Sequence, residues 1–243
     1  MTGLPADPIE PLDLAVACCL YEQMTPYARS LRRLRDAVVP ALDLRRDDHR
    51  LALLQFLNDW GCRNLAKVWH QRASTALEEW CRSTWGCLSL FRDSLDDFDS
   101  VRLGDIARAF DLLSGSNAAE KTRQGVELQV SFGPTATSKS LFALMPNTLP
   151  AWDGPMRKAF DYDDDGASYA KFVEDVHGKI AETDRCCRER GLELVDLPAK
   201  LGRPAYTTVA QLVVEYYWIT VTRGVSLPAS DVLSEWLSWC DSR

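Results

Sequence analysis

Between Ala167 and Arg190 the apolar side chains Tyr169, Phe172, Val173, Val176 and Ile180 return at intervals of three and four, so they gather on one helix face. A stripe of that length has to be buried, and it commits the chain to packing helix against helix. Tyr206 to Thr222 is more apolar still, with Val209, Leu212, Val213, Tyr216 and Tyr217 turned inward, which predicts a central helix. Further helices are predicted over 11–23 and 27–39, parted near Thr25-Pro26 and closed by Pro40. A third runs from His49 through Leu51, Leu54, Phe56 and Leu57 to Trp60-Gly61, and another covers 70–85 with Ala73, Leu77 and Cys81 in register. Asp105 to Leu113 is a short helix stopped by Ser114-Gly115-Ser116-Asn117. Helix resumes after Pro134 through Leu144 and again from Asp153, and 231–239 supply a last short one. Residues 125–132 alternate Val126, Leu128, Val130 and Phe132 with Glu127, Gln129 and Ser131, which is strand period. The expected fold is all-α, with little or no β. With no long linker or repeat, residues 1–243 are expected to form one domain.

A chain of 243 residues that is 46% apolar can bury a substantial core. No apolar run approaches the roughly 20 residues that span a bilayer. The first eight residues, Met1 to Pro8, lack the basic-then-apolar pattern of a secretory signal, so a cytoplasmic protein with no membrane partner is expected. The net charge of −7 excludes a surface coated in cations for nucleic acid but leaves room for a local basic groove. Positive charge is bunched at Arg29, Arg32, Arg33 and Arg35 and at Arg45, Arg46 and Arg50, runs that taken alone read as solvated helix faces. Among the eight cysteines, Cys18-Cys19 and Cys186-Cys187 are adjacent and Cys62, Cys81, Cys87 and Cys240 are scattered, with no Cys-x-x-Cys. That spacing predicts free, largely buried thiols and no metal site.

Three strings carry potential chemistry. Gly133-Pro134-Thr135-Ala136-Thr137-Ser138-Lys139-Ser140 differs from a phosphate-binding P-loop by having Ser138 where the backbone needs glycine, and no βαβ alternation surrounds it. Asp161-Tyr162-Asp163-Asp164-Asp165-Gly166 opens like a calcium loop, but the twelfth position is Phe172 instead of a bidentate carboxylate, which leaves an acidic turn leading into a helix. In Trp152-Asp153-Gly154-Pro155, proline falls in a helix's first turn and Asp153 where an N-cap belongs. Asp153 then either caps the helix, worth about 1 kcal/mol, or offers a fixed anion at the positive end of the helix dipole. An oxocarbenium-like transition state requires such an anion. The residues by themselves leave both readings open.

The run Gly133 to Lys139, followed by Leu144-Met145-Pro146-Asn147 and Leu149-Pro150-Ala151-Trp152-Asp153, resembles the helix-hairpin-helix DNA glycosylases. The likeness is to the bacterial branch with an 8-oxoguanine-glycosylase-like fold, several members of which are linked to phage defence. An upstream segment, Leu57-Asn58-Asp59-Trp60-Gly61-Cys62-Arg63, and Arg157 four residues beyond Asp153 extend it, and it continues weakly through Tyr169, Phe172 and Tyr216-Tyr217-Trp218. Only one glycine beside a proline stands where the family's hairpin has two glycines.

The resemblance implies two packed helical lobes with a cleft, the hairpin and catalytic segment lying at about 125–160. Backbone amides around Gly133 to Thr135 would hold a DNA phosphate, with Thr137, Ser138, Arg63 and Arg157 as further DNA contacts. Asp153 takes the place of the essential aspartate and Lys139 supports it, by pairing with Asp153 or a phosphate. A flipped base would stack in a pocket for which Trp60, Trp152 and Asn58 are candidates. The implied activity is monofunctional hydrolysis of the N-glycosidic bond of a damaged or modified base, with modified phage DNA as a partner and with neither cofactor nor obligate protein partner. The alternative is a catalytically inert DNA- or protein-binding module of the same fold.

Overall fold

The computed structural model of the protein describes residues 3–88, 100–123, 126–229, 231, 232 and 235. It is mainly helical, as the periodicity predicts. Helices α1 (Pro11–Met24) and α2 (Tyr27–Ala37) meet at Thr25-Pro26, α3 spans Asp47–Asp59, and a 3-10 turn at Lys67–Trp69 leads into α4 (His70–Leu88). Then come α5 (Ser100–Gly115), the strands β1 (Asn117–Arg123) and β2 (Val126–Ser131), α6 (Gly133–Leu144), α7 (Gly154–Ala159) and α8 (Gly166–Glu189). A 3-10 turn, Leu194–Asp196, precedes the short α9 (Leu197–Lys200), and α10 (Val209–Tyr217) closes in a π turn over Trp218–Thr222. No described helix is long and apolar enough to cross a membrane.

Capping explains the boundaries. Asp153, Asp165 and Thr208 each accept a hydrogen bond from the backbone N–H three residues on, at Met156, Ser168 and Gln211. The central helix therefore begins at Val209, three residues later than its apolar pattern suggests. The strand predicted over 125–132 forms as β2, but it is paired antiparallel with β1, placing Lys121 opposite Leu128 and Ala119 opposite Val130. β1 is polar, Asn-Ala-Ala-Glu-Lys-Thr-Arg, so the sequence there shows only the helix stop before it. The helix expected at 105–113 is longer at both ends. Of the last predicted helix, Asp231, Val232 and Glu235 are helical, and the rest of 231–239 lies outside the described residues.

Tyr169, Phe172, Val173 and Val176 of α8 are fully buried, and Phe110 of α5 stacks on Tyr169 at 4.5 Å between ring centroids. The helices cross so closely that Gly166 has no room for a side chain: a Cβ would fall 2.7 Å from the Ala107 carbonyl carbon. Its N–H instead donates to Asp111 Oδ1 at 2.6 Å. Ala17, Tyr21 and Ile219 make a second small cluster, with Tyr27 and Trp218 packed on it. The six cysteines whose side chains are described are free thiols, of which Cys18, Cys62, Cys81 and Cys187 are buried.

Candidate active site

Asp153 caps α7 at the wall of a pocket of about 290 Å³, near the lower end of ordinary ligand cavities. Its Oδ1 accepts from the Met156 N–H at 2.9 Å. The Thr222 hydroxyl lies 3.0 Å from Oδ1 and 2.9 Å from Oδ2, so it fastens the carboxylate across a gap of 69 residues. The π turn makes that contact possible. Its wider winding, seen in the Arg223 N–H donating to the Trp218 carbonyl five residues back, turns Trp218, Thr222 and Arg223 toward α7.

Lys139 is the second polar group in the wall. It sits on α6, half-buried, and its ammonium donates to the Trp60 carbonyl at 2.6 Å while lying 5.6 Å from the centroid of the Trp60 ring. The expected pairing with Asp153 is not made: among the described residues Lys139 has no carboxylate within ion-pair distance. The nearby backbone oxygen holds it, which leaves two of its three N–H donors uncommitted to that carbonyl.

Aromatic rings supply the rest of the lining. Trp60 lies in the wall, stacked on Phe142 at 5.5 Å, and its indole N–H donates to the Tyr27 carbonyl at 3.2 Å. Tyr21, Tyr27 and Trp218 stand edge-on or tilted to one another, and the Arg223 guanidinium covers the Trp218 ring at 5.5 Å. Burial, and next the carboxyl of Glu215, push the Tyr21 phenol well above its usual range, so it stays a neutral hydrogen-bonding group. A slot with aromatic walls, one fixed carboxylate and two cations can take a planar heterocycle attached to a centre that gains positive charge.

Several candidates named from sequence stand elsewhere. Trp152 touches the pocket, but its ring is buried among Phe110, Tyr162, Tyr169 and Phe172, and its N–H donates to the Pro134 carbonyl. It is core, not a platform for a base. Asn58 is outside the pocket and is bonded to His70 Nε2 at 2.9 Å. Thr137 and Ser138 cannot meet DNA: both are fully buried on α6, and the Ser138 hydroxyl joins the Trp152 backbone, donating to its oxygen and accepting from its N–H. They fall on the inward face of the helix, a position that a motif string does not reveal. Arg157 is also buried, spanning Thr135 Oγ1 at 3.1 Å and Asp164 at 2.7 Å over the Trp152 ring. It serves to lock α7 to α6 and to the acidic turn. Thr135 thereby spends its hydroxyl on Arg157. Arg63 is exposed.

Gly133 begins α6 with φ 71°, in the left-handed region that suits glycine, and Pro134 contributes no N–H there. α6 is entered from β2, so strand–turn–helix stands where a helical hairpin is implied. The acidic turn from Asp161 caps α8 and pairs with Arg157, and among the described residues no group of three or more His, Cys, Asp or Glu could hold a metal ion. The second basic run is neutralised, but in the first only Arg33 is ion-paired, Arg35 donates to the Ala143 carbonyl and Arg29 and Arg32 are exposed. Arg33, Arg45 and Arg46 pair with Asp59, Asp43 and Asp48, and buried Arg50 pairs with Asp47 and Glu78.

Sequence reasoning missed Tyr21, Tyr27, Thr222 and Arg223. Trp218 carried a signal, as an aromatic next to Tyr216-Tyr217 near a helix end, whereas nothing local marks the other four. No family model, curated protein or solved structure matches this chain.

Proposed function

We propose that this chain is a DNA glycosylase, hydrolysing the N-glycosidic bond of a damaged or modified base. One observation carries the reading: the Asp153 carboxylate, gripped by Thr222 and the Met156 N–H, lies in an aromatic-walled pocket that also contains the Lys139 ammonium. The base enters that slot out of the helical stack and packs against the half-buried ring of Trp218, with buried Trp60 as the slot's floor. As the C1′–N bond breaks, its electron pair leaves with the base and positive charge grows on the deoxyribose, where the Asp153 anion lowers the barrier. Water adds to C1′ and loses a proton to the carboxylate or to solvent, while the departing base takes up a proton from solvent, giving a free base and an abasic site. Lys139 acts as a fixed cation and donor toward the departing base or a phosphate. Held by the Trp60 carbonyl, it is not used as a nucleophile.

The test is mass spectrometry of bases released from a panel of modified DNAs, genomes of phages with modified bases among them. Release by the wild type and its loss in a folded Asp153→Asn protein supports the proposal. DNA binding with no release from any substrate favours the inert binding module, a reading to which the Thr222 hydroxyl on both carboxylate oxygens lends some weight.

A further inference from the structure

The β1–β2 hairpin is attached to the pocket by one short turn. Lys139 of α6 holds the Trp60 carbonyl at the start of that turn. At its end the Asn64 amide donates to the Ser131 and Phe132 carbonyls at 3.2 and 3.4 Å, where β2 runs into α6. Pocket wall, turn and hairpin root are therefore tied together, and the 3-10 turn at Lys67–Trp69 packs against β1.

This region combines exposed aliphatic side chains with unpaired cations. Glu120 is bonded to Arg72 of α4, which ties the hairpin to that helix, while Glu127 and Gln129 on the same face are exposed. The alternate residues Lys121, Val126 and Leu128 share the opposite face, because Lys121 stands across from Leu128 in the register. They look outward: Val126 is 58% and Leu128 45% exposed, and Lys121 is exposed beside them. Val68 on the adjoining 3-10 turn is 77% exposed. Arg63, Lys67 and Lys121 are all exposed, and among the described residues none has a carboxylate within ion-pair distance. On a chain of net charge −7, three unpaired cations around exposed aliphatics suit a polyanion with apolar edges.

We infer that this surface is where duplex DNA lies. Arg63, Lys67 and Lys121 face phosphates, and the Val126–Leu128 strip presses on sugars and base edges beside the extruded nucleotide. The inference rests on the glycosylase reading and names which face meets the substrate. It also gives phosphate contact to the hairpin and the Trp60–Asn64 turn, since Thr137 and Ser138 of α6 are buried.

Fluorescence anisotropy with an unmodified duplex, titrated between 50 and 200 mM salt, tests it without requiring turnover. Combining Arg63→Ala, Lys67→Ala and Lys121→Ala removes three phosphate contacts. The slope of log K against log salt is expected to fall by about 3 and the affinity near 0.1 M salt by on the order of a hundredfold. Val126→Ser with Leu128→Ser is expected to weaken binding with the slope kept. Arg45→Ala with Arg46→Ala, whose charges are already paired, should leave both quantities alone. Unchanged melting temperatures of these exposed-site variants exclude a folding defect. If the triple variant binds with wild-type affinity and slope, the hairpin surface is wrong while base excision still stands. If the wild type binds no DNA but an acidic peptide instead, the surface and the glycosylase reading both fall.

Discussion

Replacing Asp153 by asparagine separates the two jobs that its carboxylate combines. As an N-cap, asparagine ranks with aspartate. Its side-chain oxygen can still accept from the Met156 N–H, and its amide can donate to the Thr222 hydroxyl where Oδ2 now accepts. The loss of stability is then confined to charge at the end of a six-residue helix, about 0.3–1 kcal/mol. For a chain of this length that shifts the melting temperature by only ~1–4 °C. The Thr222→Val variant bears on the same contact, removing the hydroxyl but not the charge. Catalysis should respond very differently: withdrawing an anion aimed at a developing cation typically costs on the order of 10²–10³ in rate. The assay is single-turnover base release followed by mass spectrometry, beside calorimetric melting of the same preparations. A folded Asp153→Asn protein releasing base at the wild-type rate would refute the reasoning, reducing Asp153 to a helix cap.

Three further outcomes are expected. Gly166→Ala should destabilise by about 1–3 kcal/mol in denaturant titration, because the methyl group collides with the Ala107 carbonyl where α5 crosses α8. An unchanged midpoint would mean that the crossing can spread at no cost. Trp152→Ala should cost about 3–5 kcal/mol of stability as a core truncation, whereas Trp218→Ala should mainly weaken base stacking, by about 1–3 kcal/mol. The two effects are read by melting and by binding of a modified oligonucleotide, and the reverse pattern would contradict the assignment of the two rings. Glu215 is almost wholly inaccessible, and burial pushes its carboxyl up to about 7 although Arg203 opposes the shift. The folded chain then holds a proton that the unfolded chain releases near 4.5, so this group's stabilisation is full below that pH and is lost as pH rises through 7. Comparing wild type with Glu215→Gln at pH 5 and pH 8 should show a smaller decline in the variant, and parallel declines would exclude Glu215 as the source.

What the chain encodes locally was legible. Helix periodicity placed α1 to α4, α6 and α8 within a few residues, because an apolar stripe and a capping side chain act over one or two turns. The same logic puts Asp153 at a helix tip, where it caps α7. Local pattern could not distinguish the buried from the open side of α6, so Thr137 and Ser138 looked available when they are packed against the Trp152 backbone. Nor could it reveal β1, whose polar residues form a strand only because β2 lies beside them. Trp60 and Trp218 apart, tertiary structure alone decided which rings surround the carboxylate. Tyr21 and Tyr27 come from the first two helices and Trp218 and Thr222 from the end of the last long one, brought together by the packing of α1 against α10 and by the π turn. Contacts so distant along the chain arise from burying two helix faces on each other, a choice made by the whole core and written in no single stretch of sequence.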